Sequence, residues 1–428
     1  MSASISQDWL NRRRWFAGKT RPIARLTLTD EIPLSPQITL AILEVTYVEG
    51  PSEQYSLALP LSGDSDAFEA PECQQLLFRL LAEGARRGPI RFEPLVDLPP
   101  NPGPSKLLGV EQSNTSIRCG RDWILKLLRR VELGPNRDLE IGRFLTLDAN
   151  FPHTPQVAGA ITYAGKATLG VLQRFVDNQG DGWTYLCGQL EEAPNAPDDV
   201  YWAQDGLPDR DQPLLNQIEA LGRISGEMHR ALASRPDLPG FAPEPCTEAD
   251  LASWLADLET QRKRATALCQ DPICHSDRRA KDPSPRSVTK IQIHGDYHLG
   301  QVLKTTDGFA IIDFEGEPAR PLAERRAKQP ALRDVAGMLR SLHYAAWATA
   351  LASPDHHLDT WAEDWARRAG DRFLKGWLET SGQPLDPALL RLFLLAKAFY
   401  ELNYELNNRP AWVQVPLKGI ESLMCDDA

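Results

Sequence analysis

The sequence predicts an α+β protein of two lobes, a small antiparallel sheet with one helix followed by a mostly helical unit. Two observations predict it. Up to about residue 177 short apolar runs alternate with turn residues, whereas beyond it long stretches carry apolar residues at three- and four-residue spacing. The helical part is interrupted once, over Ile291 to Asp313, by two strand-like segments.

Leu26–Leu28, Ile38–Leu43 and Gln54–Leu59 read as antiparallel strands, and Pro71 to Glu83 as the helix that follows. The run Leu98 to Pro104 holds four prolines and a glycine and must be a loop near a unit boundary. Thr115–Cys119 and Trp123–Leu128 read as a hairpin around Gly120-Arg121-Asp122. Asn136-Arg137-Asp138 opens a helix from Leu139 to Leu147, and the strand Gly170–Phe175 runs into the loop Asp177–Gly182. Leu214–Ala233, Thr247–Cys269, Leu332–Leu351 and Leu389–Leu406 read as helices, with a charged, flexible loop expected over Ser276 to Ser287. No internal repeat or low-complexity tract occurs in the sequence. A sheet with one helix, a linker and a helical unit broken by a hairpin is the order of a bilobal protein-kinase-like fold. Unrelated α+β domains would give the same elements, so the motifs decide.

Bulk properties exclude some functions. Hydrophobic residues make up 42% and charged residues 25% of the 428, an ordinary globular composition. A formal net charge of -11 makes nucleic acid or an anionic membrane a poor partner, since both need a basic surface. No run approaches the ~18 apolar residues of a membrane span, and the polar, Arg-rich segment Met1 to Lys19 is not a secretory signal. The 7 cysteines are irregularly spaced and suggest free thiols. Cys269, Cys274 and His275 lack a second ligand pair at zinc spacing. A reducing cytoplasm is the expected setting.

The strongest chemical signal is Ile293-His294-Gly295-Asp296-Tyr297-His298-Leu299-Gly300-Gln301, followed by Ile311-Ile312-Asp313-Phe314-Glu315-Gly316. Phosphoryl transfer needs a carboxylate to orient the attacking hydroxyl and take its proton, and hard oxygens to hold Mg2+ against the phosphates of ATP. Asp296 stands in the base position, Gln301 lies five residues on, and Asp313 opens Asp-Phe-Glu-Gly. Each piece alone is weak, but the order, the spacing and the apolar strand before each make coincidence a poor explanation. Gln301 stands where kinases commonly carry Asn; both offer a neutral carbonyl oxygen.

Trp123-Ile124-Leu125-Lys126-Leu127 is similar to the strand whose lysine contacts the α- and β-phosphates. Glu140 on the next helix is the expected ion-pair partner of Lys126, with Glu132 and Asp138 as competitors. No glycine-rich loop precedes this strand, and the polar turn Glu111 to Ser116 stands in its place. Ser113, Asn114 and Thr115 are the candidate phosphate-cradling residues there, and Gln173, Phe175 and Val176 the candidate adenine-binding hinge. Near the C-terminus Lys397, Tyr400, Glu401, Tyr404 and Asn408 form one helical stripe ending at Arg409. A face with two aromatics and several hydrogen-bonding groups suits a sugar, and it equally suits a buried polar network.

Several of these segments together are more specific than any motif alone. His294–Leu303, Asp313–Arg326, Leu332–Ser341, Tyr404–Pro410, Arg14–Lys19 and Glu111–Asn114 resemble bacterial maltokinases across nearly the whole chain. The resemblance implies an N-terminal cap subdomain (1–92), an intermediate ATP-binding subdomain (93–177) and a helical C-lobe (178–428). It implies transfer of phosphate from ATP to maltose, giving maltose 1-phosphate for α-glucan synthesis, with trehalose synthase as a possible partner. The rivals are a kinase of the same fold acting on glucosamine or an aminoglycoside, and a non-catalytic kinase-like module.

Overall fold

Two faces of one strand explain how the N-terminal part folds. In the computed structural model, which describes residues 5–61, 65–109, 114–191, 211–269, 271, 288–318, 320–352 and 358–425, helix α1 (Gln7–Asn11) precedes an antiparallel sheet. Its strands are β1 (Ile23–Pro33), β2 (Ile38–Tyr47) and β3 (Glu53–Pro60), in that order. Along β2 the odd positions Ala41, Leu43 and Val45 pack with Leu10, Trp15 and Phe16, while Leu40 and Ile42 join a second core with Phe78 and Leu125. Alternation at period two therefore buries both faces, and the strand reads as an unbroken apolar run.

Helix α2 (Pro71–Ala82) closes the second core. A seven-stranded sheet follows, made of β4 (Arg86–Arg87), β5 (Ile90–Pro94), β6 (Ser105–Leu108), β7 (Asn114–Cys119), β8 (Trp123–Leu128), β9 (Val157–Tyr163) and β10 (Ala167–Arg174). Its order is β4-β5-β9-β10-β8-β7-β6. Between β8 and β9, helix α3 (Arg137–Arg143) continues into one π-turn over Phe144–Asp148. A buried ion pair at 2.7 Å joins Arg129, just past β8, to Asp66. Met1–Asp148 and Pro155–Val176 form one compact unit.

The second unit, Ala149–Thr154 with Asp177–Ala428, is mostly helical. It holds α4 (Gly182–Glu191), α5 (Gln212–Leu232), β11 (Glu244–Pro245), α6 (Glu248–Leu268) and β12 (Thr289–Ile291). Next come the hairpin β13 (Val302–Thr305) and β14 (Gly308–Ile311), then α7 (Leu322–Arg325) and β15 (Gln329–Pro330). Helices α8 (Leu332–Ala352), α9 (Leu358–Ser381), α10 (Pro387–Asn408) and α11 (Gln414–Cys425) complete it. Helix α5 lies against α9, where Glu219 receives Arg372 at 2.8 Å and Lys375 at 3.0 Å. Helix α10 packs between α6, α8 and α11. No helix among the described residues is long and apolar enough to cross a membrane. The segment Ser276 to Ser287, with Cys274 and His275, lies outside the described residues.

Candidate active site

The loop carrying Asp296 connects β12 to a short 3-10 turn, Leu299–Gln301, and its backbone is held from below. The amides of His294 and Gly295 donate to the two carboxylate oxygens of Asp334, at 2.6 and 2.9 Å. Asp334 is buried on α8 and takes a third donor, His229 Nε2, at 3.1 Å. The Trp377 indole N–H donates to His229 Nδ1 at 2.9 Å, so the opposite nitrogen carries the proton given to Asp334. Burial raises the Asp334 carboxyl, but the His229 bond, the nearby His294 and the Gly295 amide outweigh it and leave it below the ordinary carboxylate range.

His294 is itself fully buried between Tyr297 and Phe314, with ring centroids 5.3 and 4.8 Å away. Its Nδ1 accepts the Asp296 amide at 3.3 Å, so Nε2 donates to the Ile312 carbonyl at 2.9 Å. Burial pushes this imidazole below its usual value and keeps it neutral. Leu299 N–H donates to Ser341 Oγ at 3.1 Å. Asp334, Gly337 and Ser341 thus form one stripe of α8 under the loop, at i, i+3 and i+7. A side chain at Gly337 would meet the Tyr297 carbonyl at 2.5 Å, so glycine is needed for this approach.

The Ile312 amide donates to the Gln301 carbonyl at 3.0 Å, which sets Gln301 beside Asp313. Asp313 has a left-handed backbone, φ 66°, a conformation that Asp tolerates better than branched residues and that clusters at functional sites. A carboxylate and a carboxamide are hard oxygen donors of the kind magnesium takes, so this pair fits such an ion.

Asp296 is half-buried and faces a cleft whose wall includes Glu317, Arg320, Arg333, Lys397 and Tyr400. Arg320 pairs with Glu317 at 2.7 Å and with Asp257 at 3.0 Å. Burial raises the Tyr400 phenol above its ordinary value, and the charge of Glu317 and a hydrogen bond to it add to the effect. Burial raises the Glu317 carboxyl, yet Lys397, Arg320 and the Tyr400 bond hold it below its usual range. His298 Nε2 stands 3.9 Å from Asp296.

Only the start of the C-terminal stripe reaches this cleft. Glu401 turns to Arg340, which donates to it at 2.7 and 3.0 Å. Tyr404 and Asn408 are exposed, and the Asn408 amide donates to the Tyr404 carbonyl at 2.8 Å. Arg409 is exposed and pairs with Glu405. The stripe from Lys397 to Asn408 covers about 16 Å of helix at 1.5 Å per residue, more than one side-chain cluster can share.

In the first unit Lys126 is buried on β8 and forms an ion pair with Asp138 at 3.7 Å. Asp138, a competitor in the sequence reading, thus meets Lys126, and Glu140 lies half-buried two residues on. Thr115 is buried and its hydroxyl accepts Arg129 Nε at 2.7 Å, so it buttresses the Arg129–Asp66 pair. Asn114 opens β7, while Ser113 lies outside the described residues. Gln173 stands near the end of β10, just before the Arg118 guanidinium stacks on the Phe175 ring at 3.2 Å. The Phe175 amide donates to Asp122 O at 2.7 Å, and Val176 is the last residue of this unit.

Residues 9–73 match the maltokinase N-terminal cap domain. A glucosamine kinase of Streptacidiphilus jiangxiensis is 29% identical over 336 residues, covering 74% of this chain and 72% of the relative. A glucosamine kinase of Mycolicibacterium smegmatis is 27% identical over 345 residues, covering 74% and 78%. The solved structure of a glucosamine kinase in complex with glucosamine, ADP and inorganic phosphate superposes with a TM-score of 0.75 at 20% identity, covering 100% of both chains, and shares the fold. These likenesses support a phosphotransferase, similar to the maltokinases and glucosamine kinases.

Four residues of this phosphotransferase's site escaped the sequence reading: Asp334, His229, Glu317 and Asp257. The segment Leu332–Ser341 carries a charged residue inside an apolar helix, Asp334, and such a residue is seldom buried unless partnered. That signal was available. Nothing in sequence spacing marks His229, 105 residues from its partner.

Proposed function

We propose that this phosphotransferase uses ATP to phosphorylate the anomeric hydroxyl of a neutral sugar, with maltose as the acceptor. The observation that carries the acceptor class is the charge arrangement in the Asp296 cleft. A glucosamine or aminoglycoside ammonium needs a carboxylate without a cation. Here Asp257 and Glu317 are tied to Arg320, and Lys397 stands in the same wall. A neutral polyol meets no such repulsion, and its hydroxyls find donors and acceptors in Lys397, Tyr400 and Glu317.

In this reading Asp296 orients the attacking hydroxyl and accepts its proton as the terminal phosphate transfers in line. The His294 and Gly295 amides, fixed on Asp334, keep that carboxylate in register. Gln301 and Asp313 would hold magnesium, whose charge offsets that of the phosphates. Lys126, held by Asp138, would contact the nucleotide phosphates, with Asn114 on the neighbouring strand and the Gln173–Val176 segment at the adenine. Lys397 and Tyr400 take the sugar, while Glu401, Tyr404, Asn408 and Arg409 have structural or surface roles.

Glucosamine is the second reading, favoured by the names of the two curated relatives. ATP consumption with magnesium, measured against maltose, glucose, glucosamine and kanamycin, separates the two. Turnover led by maltose supports the proposal. Turnover led by glucosamine overturns the acceptor and keeps the kinase, and silence with all four overturns both.

A further inference from the structure

His298 stands beside Asp296 but outside the cleft that would take the sugar. Asp296 lines that cleft together with Glu317, Lys397 and Tyr400, and His298 does not. On the other side the Gln301 amide donates to the His298 carbonyl at 2.9 Å, and Gln301 is itself set beside Asp313. Burial pushes the imidazole below its usual value; Asp296 and Asp313 oppose this, and Lys397 adds to it. The ring therefore lies where both the cleft wall and the Gln301–Asp313 pair reach it.

The imidazole is built into its turn. His298 precedes the turn Leu299–Gln301 with extended backbone, φ -153° and ψ 172°, and its Nδ1 accepts the Gly300 amide at 3.0 Å. An Nδ1 that accepts leaves the proton of the neutral ring on Nε2. A side chain at Gly300 would meet the ring atoms Cε1 and Nδ1 at 2.8 and 3.0 Å, so glycine makes room for the imidazole over the turn. Among the described residues Nε2 has no hydrogen-bond acceptor. The Asp296 carboxylate is 3.9 Å away, beyond hydrogen-bond reach, and the His298 side chain is 40% exposed. A fixed and accessible N–H thus ends beside the base.

Two kinds of oxygen meet at Asp296 when phosphate is transferred, that of the attacking hydroxyl and those of the phosphoryl group. A donor on the attacking oxygen would draw off the electron pair that has to reach phosphorus. A donor on a phosphoryl oxygen offsets charge there as the bonds change, and so favours transfer.

We propose that His298 is a further catalytic residue, donating its Nε2–H to an oxygen of the phosphoryl group in transfer. The inference rests on the phosphotransfer reading above and not on which sugar accepts. The His298 proton is shared and stays on the ring. The bond from the sugar oxygen to phosphorus forms, the bond from phosphorus to the ADP oxygen breaks, and the sugar proton passes to Asp296.

The test compares His298→Asn with His298→Gln in the full chain. Turnover is measured with ATP, magnesium and whichever of maltose, glucose, glucosamine and kanamycin the wild type uses, below the melting temperature of every variant. Asn returns an acceptor to the Gly300 amide but ends short of Nε2, whereas Gln carries an N–H to that position. His298→Asn should lower kcat by about 10²–10³-fold, the worth of one such donor, with both KM values unchanged. His298→Gln should recover much of that loss. Gly300→Ala, which keeps the imidazole but pushes it off the turn, should lower kcat in the same way. His298→Asn at least as active as His298→Gln would reduce the residue to a turn cap and overturn the inference. A loss confined to the sugar KM would overturn it too, by making the ring a sugar contact. Either result leaves the kinase reading intact as long as Asp296→Asn is inactive, and a wild-type chain silent with all four acceptors overturns both.

Discussion

The loop bearing Asp296 and the helix bearing Lys397 line the same cleft but are built in opposite ways. In the loop, three successive backbone amides, those of His294, Gly295 and Asp296, each have a buried acceptor; Asp334 is anchored through His229 and Trp377, and His294 through the Ile312 carbonyl. On α10, five residues that share one stripe in sequence go separate ways, two into the cleft and three onto Arg340 or the surface. On the proposed function, the loop is over-determined so that the Asp296 carboxylate does not wander. The helix is a scaffold, and only the turn nearest the loop lines the cleft.

The sharpest way to break this contrast is at Asp296. Asp296→Asn should reduce turnover by about 10²–10⁴-fold, the usual contribution of a general base, with thermal melting unchanged. Retained turnover would remove Asp296 from the role. Next in size, Asp334→Ala leaves three donors facing an empty space, and each buried donor left unsatisfied costs about 1–3 kcal/mol. Denaturant unfolding should register that loss together with lost turnover; a cost below about 1 kcal/mol, the scale of a single ordinary hydrogen bond, would contradict the network.

The helix side gives smaller and divided effects. Lys397→Met and Tyr400→Ala should each raise the sugar KM by roughly tenfold, the worth of about 1.4 kcal/mol. Tyr404→Ala and Asn408→Ala should stay within about 0.5 kcal/mol of wild type in KM and stability, as surface changes do. Equal effects along the whole stripe would show that the helix acts as one face after all. The smallest effect lies on the far side of α8. His343 is depressed in the folded chain by burial, so the unfolded chain takes the proton first as pH falls. Its contribution is complete above about pH 6.5, the unfolded value, and is lost as pH falls through the folded value. Stability of His343→Phe relative to wild type should therefore improve below about pH 6.5, measured by unfolding at a series of pH values; parallel curves would contradict the assignment.

The strands at Ile38–Leu43 and Trp123–Leu128 were legible as short apolar runs bounded by turn residues, and the four long helices because their periodicity survives in the sequence. Strand β9, Val-Ala-Gly-Ala-Ile-Thr-Tyr, was missed: its small residues sit between two other strands, and central strands do not alternate. Helix α9 was missed although its tryptophans and phenylalanine lie on one face, because charged residues fill the rest. Asp296, Gln301 and Asp313 could be grouped in the sequence since loop and hairpin are contiguous there. That Asp138 meets Lys126 could not be read from the sequence, because the packing of a short helix decides which of its carboxylates reach the strand. The stripe on α10 was over-read, since one face of an isolated helix becomes several environments when α6, α8 and α11 pack around it.

The central claim is that this cleft delivers phosphate to the anomeric hydroxyl of a neutral sugar. The most direct measurement is 31P and 13C NMR of the product made by the full chain from ATP and maltose. A phosphorus coupling to the anomeric carbon of the reducing-end glucose is the predicted result. Phosphate on any other carbon, or none on maltose while glucosamine is consumed, would contradict it.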